Sequence, residues 1–183
     1  MLAPGGADAS VRAARPGDVV AMGAVQVRAW RRAYPGLLPE PVLAGLAPDA
    51  VAERWRAAVT SPPSARHAVL VACAGATVVG LAALAPATDR DAAPGDAELV
   101  ALEVDPAQQR RGHASRLLAA AVDAARERAF TALQVWVPAA DDARRAFLQS
   151  AGLRPDGAHR RLGTTGGTTG STEVSEVRLS AAL

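Results

Sequence analysis

The stretch Leu99–Leu118, LVALEVDPAQQRRGHASRLL, decides the fold. Leu99 to Val104 is apolar apart from Glu103 and reads as the end of a strand. Asp105-Pro106 stops it, since proline brings no N–H to a sheet ladder. Further on, Leu117 and Leu118 sit at the spacing of a helix's buried face. Between strand and helix lie the small residues Gly112 and Ala114, with Gln109, Arg110, Arg111 and Arg116 as donors and positive charges. A helix start of this kind presents free backbone N–H groups, and the helix dipole favours an anion there. Small residues let the anion approach the backbone. The stretch calls for a phosphate or a pyrophosphate.

C-terminal to this stretch, the helix runs from about Gly112 to Arg128 with Leu117, Leu118, Ala121 and Ala125 on one face. Leu133–Val137 is a strand stopped by Pro138, and Asp141 or Asp142 caps a helix through Ser150 that Gly152 closes. Thr164–Thr172 is low in complexity and reads as a flexible loop, and Glu173–Leu179 alternates like a final strand. N-terminal to it, Ala97–Val104 is a strand, preceded by a Pro/Asp/Gly-rich loop over 85–96. Ala68–Ala74 and Thr77–Leu84 form a hairpin about Gly75. Earlier helices are expected at Ala50–Thr60 behind Asp49, within Pro39–Leu46, and at Val19–Ala33 behind Asp18. The last carries Val20, Gly23, Ala24, Val27 and Trp30 at helical spacing. Ser10–Ala14 alternates like a short strand. The chain divides into a disordered tail over 1–9 and a single α/β domain over 10–183.

With 183 residues, half of them hydrophobic, the chain is long enough for a sizeable core. Aromatics are only 3%, so Leu, Val and Ala must fill it. All 20 basic residues are Arg, yet the net charge is only +2, which gives no reason to expect a nucleic-acid partner. The single cysteine, Cys73, has no partner for an internal disulfide and is expected in the core. Residues 1–9 lack the basic start and apolar stretch of a secretory signal. No run approaches the roughly 18 apolar residues of a membrane span. A cytoplasmic location without membrane attachment is expected. The three scattered histidines and one cysteine give no metal-ligand spacing.

The order of these elements resembles the GNAT superfamily of acyl-CoA-dependent N-acyltransferases. Its signature, Gln/Arg-x-x-Gly-x-Gly/Ala after a strand ending near Val-x-Pro, reads here as Gln109-Arg110-Arg111-Gly112-His113-Ala114 after Val104-Asp105-Pro106. The segment Asp141–Gly157 looks like the family's next helix, and the resemblance covers roughly residues 10–183. It implies a mixed, mostly antiparallel central sheet of roughly six to seven strands flanked by helices. It implies acetyl-CoA as co-substrate, no metal, and a primary amine of a small molecule or peptide as acceptor; a homodimer is left open. Backbone amides of Gln109, Arg110, Arg111, Gly112, His113 and Ala114 would hold the pyrophosphate, with Ser115 and Asp141 beside the cofactor. Backbone groups of Leu102, Glu103 and Val104 would pair with the pantetheine arm like an added strand. Parting of that strand from Leu133–Val137 would open the slot.

The resemblance also places an acidic residue at Glu98 as general base. Without that role, a salt bridge to a neighbouring Arg would explain Glu98. Regular alternation points Glu103 the opposite way, towards substrate or an Arg, with a lesser catalytic claim. The family often has Asn where Asp141 stands and Tyr where Leu148 stands. Leu148 cannot protonate a leaving thiolate, so any tyrosine acid must be Tyr34, the chain's single tyrosine. Trp30 and Tyr34, with Leu37 and Leu38, form the turn that borders the acceptor pocket in this family; ordinary packing explains them equally. His113 is expected at the surface or beside adenine and His67 in a structural role; His159 and Arg160, near a strand close to the cleft, are expected at the surface, with substrate contact as the alternative. Two other readings stand against an N-acetyltransferase. One is a non-catalytic CoA-binding sensor, motivated by Leu148. The other is a Rossmann-type nucleotide enzyme, disfavoured because Gly-x-Gly-x-x-Gly is missing.

Overall fold

The computed structural model describes residues 9–164 and 172–183. Their strands are β1 (Ala9–Ala13), β2 (Ala68–Ala74), β3 (Thr77–Pro86), β4 (Asp96–Val104), β5 (Ala132–Pro138), β6 (Arg154–Thr164) and β7 (Thr172–Ala182). The helices are α1 (Val19–Ala33), α2 (Glu40–Ala44), α3 (Pro48–Thr60), α4 (His113–Glu127) and α5 (Asp142–Ser150). The strands form one sheet in the order β1-β2-β3-β4-β5-β7-β6. Every neighbouring pair is antiparallel except β4 and β5, which are parallel. The expected mixed, mostly antiparallel sheet between helices is present.

One face of the sheet packs on α4 and α5, where Leu117, Leu118, Ala121 and Leu148 join Leu99, Leu102 and Leu133 in the larger core cluster. The other face takes α1, with Met22 and Val25 on Val71 and Leu81. Helix α1 also touches α3, and Gly23 makes that approach feasible. A Cβ there would lie 2.5 Å from Pro48 O and 2.8 Å from Ala52 N. The buried face of α1 includes Gly23 and Val27 as the spacing suggests but not Val20, which is 62% exposed, and it extends to Val19, Met22 and Val25. Two helices' worth of contact widens the buried arc and blurs the periodicity. Cys73 is buried as expected.

Strand β4 contains the feature that positions the site. Its register with β3 slips where Ala83 pairs with Ala101 but Leu84 pairs with Leu99. Val100 is therefore the extra residue of a β-bulge, which resets the alternation of faces beyond it. Ala97 and Leu99 before the bulge, and Leu102 and Val104 after it, all enter the α4-side core, whereas Ala101 enters the α1-side core. Glu98 and Glu103 thus share one face. Their expected opposite orientation is overturned, because five residues of strict alternation become effectively four.

Other boundaries move for local reasons. Ala9 belongs to β1, not to a tail; residues 1–8 and the centre of the Thr164–Thr172 loop lie outside the described residues. Asp18 does not cap α1 with its side chain. Its carboxylate accepts the Arg15 N–H at 2.7 Å and both Arg12 guanidinium nitrogens at 2.6 and 2.8 Å, pinning β1 to the start of α1. Asp49 lies within the first turn of α3, behind Ala47, which makes no side-chain cap. Strand β6 has no clear counterpart in the sequence, because Pro155, Gly157 and Gly163 interrupt its alternation.

The contact at Gly23 sets a stability test. Gly23→Ala places a Cβ against two backbone atoms that cannot rotate away, so urea unfolding should show a loss of about 1–3 kcal/mol. Gly17→Ala, where a Cβ meets nothing within 4 Å, should change stability by less than about 0.5 kcal/mol.

Candidate active site

The parallel pair β4 and β5 is in register only at Asp96↔Ala132, Ala97↔Leu133 and Glu98↔Gln134. Beyond Glu98 the two strands part, as expected. The Asp105 N–H donates to Val79 O at 2.8 Å. Because successive residues of a strand present their N–H and C=O to opposite edges, Leu102 and Val104 turn theirs away from β3 and into the gap. A groove of about 760 Å³ occupies it, running from Leu102–Val104 to Gly112–Ser115 and walled by α5 through Asp141, Arg144 and Phe147.

At the floor of the groove the turn after β4 collects donors. Arg110 has φ 62° and Gly112 has φ 79°, both left-handed. For Arg110 this costs about 1–2 kcal/mol, a strain that marks a shaped turn. Among the described residues no acceptor takes the backbone N–H of Arg110, Arg111, Gly112, His113, Ala114 or Ser115. Arg32, Arg110, Arg111 and Arg116 surround the site, and none has a carboxylate partner among the described residues. Two buried polar atoms at this end, Gln108 Oε1 and His113 Nδ1, also lack a partner. Such orphans, together with open amides and unpaired cations, fit a polyanionic ligand with further polar groups. His113 is not at the surface as expected; it is 4% exposed. Burial, and then the charges of Arg116 and Arg111, push its pKa down, so the ring is neutral at pH 7.

A second pocket of about 220 Å³ adjoins the groove, and Glu103 and Arg144 line both. Trp30, Tyr34, Leu37 and Leu38 all line it, as do Glu98 and the bulged Val100. Trp30 and Tyr34 meet edge to face at 5.4 Å. Arg160 also lines it rather than the open surface; its guanidinium stacks on Trp136 at 4.3 Å and pairs with Glu176 at 2.6 Å. His159 is exposed, and His67 contacts Ser64 Oγ at 3.0 Å.

Glu98 is half-buried and makes no side-chain hydrogen bond or ion pair among the described residues. The salt bridge that would have explained it is not made. Burial pushes its carboxyl above the ordinary range, against the pull of Arg160. Glu103 is buried between Arg144 Nη1 at 3.5 Å and Trp30 Nε1 at 3.3 Å. Burial raises its carboxyl too, with Arg144 opposing. Arg144 also donates to Leu102 O at 3.1 Å, thereby holding one of the carbonyls that face the gap. Burial, and then the charge of Glu103, push the Tyr34 phenol up to about 12, so it stays protonated at neutral pH. Asp141 caps α5 by accepting the Arg144 N–H at 3.0 Å.

Arg32, Gln108, Arg144 and Phe147 line the groove but do not stand out in the sequence. A charged residue on a short amphipathic helix reads as a solvated face, which hides Arg144. Arg32 carries one weak signal: it lies four residues after Arg28 on the same face of α1, and Arg28 Nε pairs with Asp105 at 2.9 Å.

A family model described as Acetyltransferase (GNAT) family matches residues 18–153. No curated protein matches the chain. Solved structures resemble it over nearly its whole length. The PaiA N-acetyltransferase of Thermoplasma acidophilum, in complex with coenzyme A, is 16% identical with a TM-score of 0.76, covering 97% of this chain and 100% of its own. YncA of Salmonella typhimurium, a putative acetyltransferase with acetyl-CoA, is 16% identical with a TM-score of 0.68, covering 96% and 94%. The ribosomal-protein-alanine N-acetyltransferase of Brucella melitensis is 21% identical with a TM-score of 0.70, covering 95% and 99%. At these identities the likeness concerns the fold.

The Glu103–Arg144 pair yields a stability prediction. Arg144→Met strands a buried carboxylate and should lower stability by about 3–5 kcal/mol at pH 7. Glu103→Gln added to it should recover part of that loss. Glu103 has a raised folded pKa, so the folded state binds more protons in the window above the unfolded value and stability falls as pH climbs through it. The Arg144→Met deficit should therefore shrink on acidification, read as urea midpoints across pH.

Proposed function

Because this chain belongs to the acetyltransferase (GNAT) family, we propose that it moves an acetyl group from acetyl-CoA to a primary amine by direct attack in a ternary complex. One observation carries this reading. The run of unpartnered amides from Arg110 to Ser115 lies in the same groove as the open edge of β4. A pyrophosphate bound at the helix start would leave its attached chain to lie along Leu102–Val104. We place the carrier's phosphates on the amides of Gln109 to Ser115 with Arg32, Arg110, Arg111 and Arg116 around them, and Asp141 as the cap that fixes the α5 wall.

The thioester supplies an acyl group activated by a good leaving group, since a thiol has a pKa near 8.5. The residues must then hold an amine and take its proton. An alkyl ammonium, with a pKa of about 10.4, has no lone pair to attack with at neutral pH. Glu98, with no hydrogen-bond or ion-pair partner among the described residues, accepts one ammonium proton directly or through water. The amine nitrogen bonds to the acetyl carbon while the carbonyl pair moves to oxygen. The oxyanion then collapses, the carbon–sulfur bond breaks, the sulfur leaves with the electron pair, and the second nitrogen proton passes to solvent. The Val104 N–H, turned into the gap, is the donor we assign to the developing oxyanion. Tyr34, held neutral, donates a hydrogen bond near the departing sulfur. A phenol near 12 is too weak an acid to protonate a thiolate fully, so solvent completes that step. Positioning of the two reactants supplies much of the remaining acceleration.

We place the protein in the cytoplasm, a reading supported by a lone buried cysteine. None of the described helices is long and apolar enough to cross a membrane.

Saturating acetyl-CoA should raise the melting temperature, whereas NAD should not. Gly112→Glu puts a carboxylate where the phosphates approach, and calorimetry should show CoA binding weakened at least about tenfold, since each charge-assisted hydrogen bond is worth about 1.5–3 kcal/mol. Unchanged affinity in the folded variant would overturn the placement. Glu98→Gln should slow turnover roughly 10²-fold at pH 7, with acetyl-CoA affinity unchanged and a deficit that shrinks as pH rises. The same substitution should raise the melting temperature at pH 7. Glu98 has a raised folded pKa, so its ionisation lowers stability as pH climbs through that value, and glutamine removes the loss. The gain should vanish in acid, where Glu98 is protonated in both states. Wild-type turnover in Glu98→Gln would assign the base elsewhere.

A further inference from the structure

The smaller pocket has a composition that selects among amines. Three carboxylates and two guanidiniums line it: Glu98, Glu103, Glu176, Arg144 and Arg160. Each guanidinium is already engaged, Arg144 by Glu103 at 3.5 Å and Arg160 by Glu176 at 2.6 Å. Glu98 remains as the one wall charge without a counter-ion among the described residues. A cationic head has a place to go, then, whereas a ligand carboxylate meets no free cation. A second ammonium meets no second free carboxylate.

The apolar side of the pocket makes an independent point. The exposed large hydrophobic residues among those described are Val20, Val100 and Leu162. Two of the three, Val100 at 52% and Leu162 at 44%, line this same pocket. They come from separate elements, the bulge of β4 and the β6 hairpin strand. Apolar side chains gathered at one mouth and left in water mark a surface that a ligand covers. Trp30, Tyr34 and Trp136 complete the wall with aromatic area. The volume of about 220 Å³ suits a small ligand.

We propose that the acceptor is a small monoamine carrying one apolar or aromatic substituent and no carboxylate. Its ammonium sits on Glu98 and its substituent lies between Val100, Leu162 and Trp136. This rests on the acetyl-transfer reading and narrows it. Diamines and free amino acids are poor substrates on this assignment, the first for want of a second carboxylate and the second for want of a free guanidinium.

The test compares 2-phenylethylamine with ethanolamine, putrescine and phenylalanine as acceptors, reading thiol release from acetyl-CoA by the full-length protein. A kcat/KM for 2-phenylethylamine at least about tenfold above each of the others is expected, the scale of discrimination an apolar contact supplies. Equal or better use of putrescine or phenylalanine would overturn the assignment. Leu162→Asp, at an exposed position where folding is not at risk, should raise the KM for 2-phenylethylamine at least about tenfold and leave acetyl-CoA affinity by calorimetry unchanged. An unchanged KM would equally overturn it. If no amine releases thiol, calorimetry of 2-phenylethylamine with the CoA-saturated protein separates the two readings. Binding that Leu162→Asp abolishes keeps the pocket assignment and removes acetyl transfer; no binding removes the pocket assignment.

Discussion

The structure depends on a pairing that stops early. Parallel strands β4 and β5 share three residue pairs and then part. A sheet that continued would satisfy the N–H and C=O of Leu102 and Val104 internally and leave no room for a ligand arm. Because it stops, a row of backbone groups faces an open groove, and it leads straight to the left-handed turn at Arg110 and Gly112. Core packing tolerates the gap because α4 and α5 cover it from one face with Leu117, Leu118 and Leu148.

Arg144 occupies the junction between the two cavities. Its guanidinium reaches Glu103, which lines both, and the Leu102 carbonyl, which faces the gap. The Leu102 carbonyl has a second lone pair, so a ligand N–H would share it with Arg144. Glu103, held by Trp30, also lines the smaller pocket. One guanidinium therefore touches the walls of both cavities.

Much of this was legible in the residues. Helix α1 and strand β2 begin and end where proline, glycine and periodicity place them, and a tight turn into α4 stands where Gly112 and Ala114 follow a strand. Glu98 stood out as a carboxylate on an apolar strand. The bulge at Val100 did not, because one extra residue in the run Leu99-Val100-Ala101-Leu102 carries no mark: all are apolar and any could face either side. That single residue decides whether Glu98 and Glu103 share a pocket. Arg144 escaped, and Arg160 was assigned to the surface ahead of the cleft, for another reason. Charge on a short helix or an interrupted strand reads as solvated, and only tertiary packing buries it.

Arg178 gives the sheet its mechanical character. It sits on β7, 9% exposed, and its guanidinium reaches Asp156 at 2.7 Å, Asp91 at 2.6 Å and Asp89 at 3.4 Å. Asp89 also accepts from Gln134 and Trp136 of β5 at 2.9 Å. Asp89 and Asp91 belong to the segment between β3 and β4, so the network fastens one half of the sheet to the other beside the three shared pairs. The two halves then behave as the jaws of a clothes-peg: clasped at the Arg178 end, free at the end where Leu102 and Val104 face the groove. A planar guanidinium can grip several carboxylates in fixed directions where an ammonium would act as a point charge. The clasp thus ties β7 and β5 to the segment before β4 at the side of the smaller pocket, where Arg178 lies 5.5 Å from the Trp136 ring.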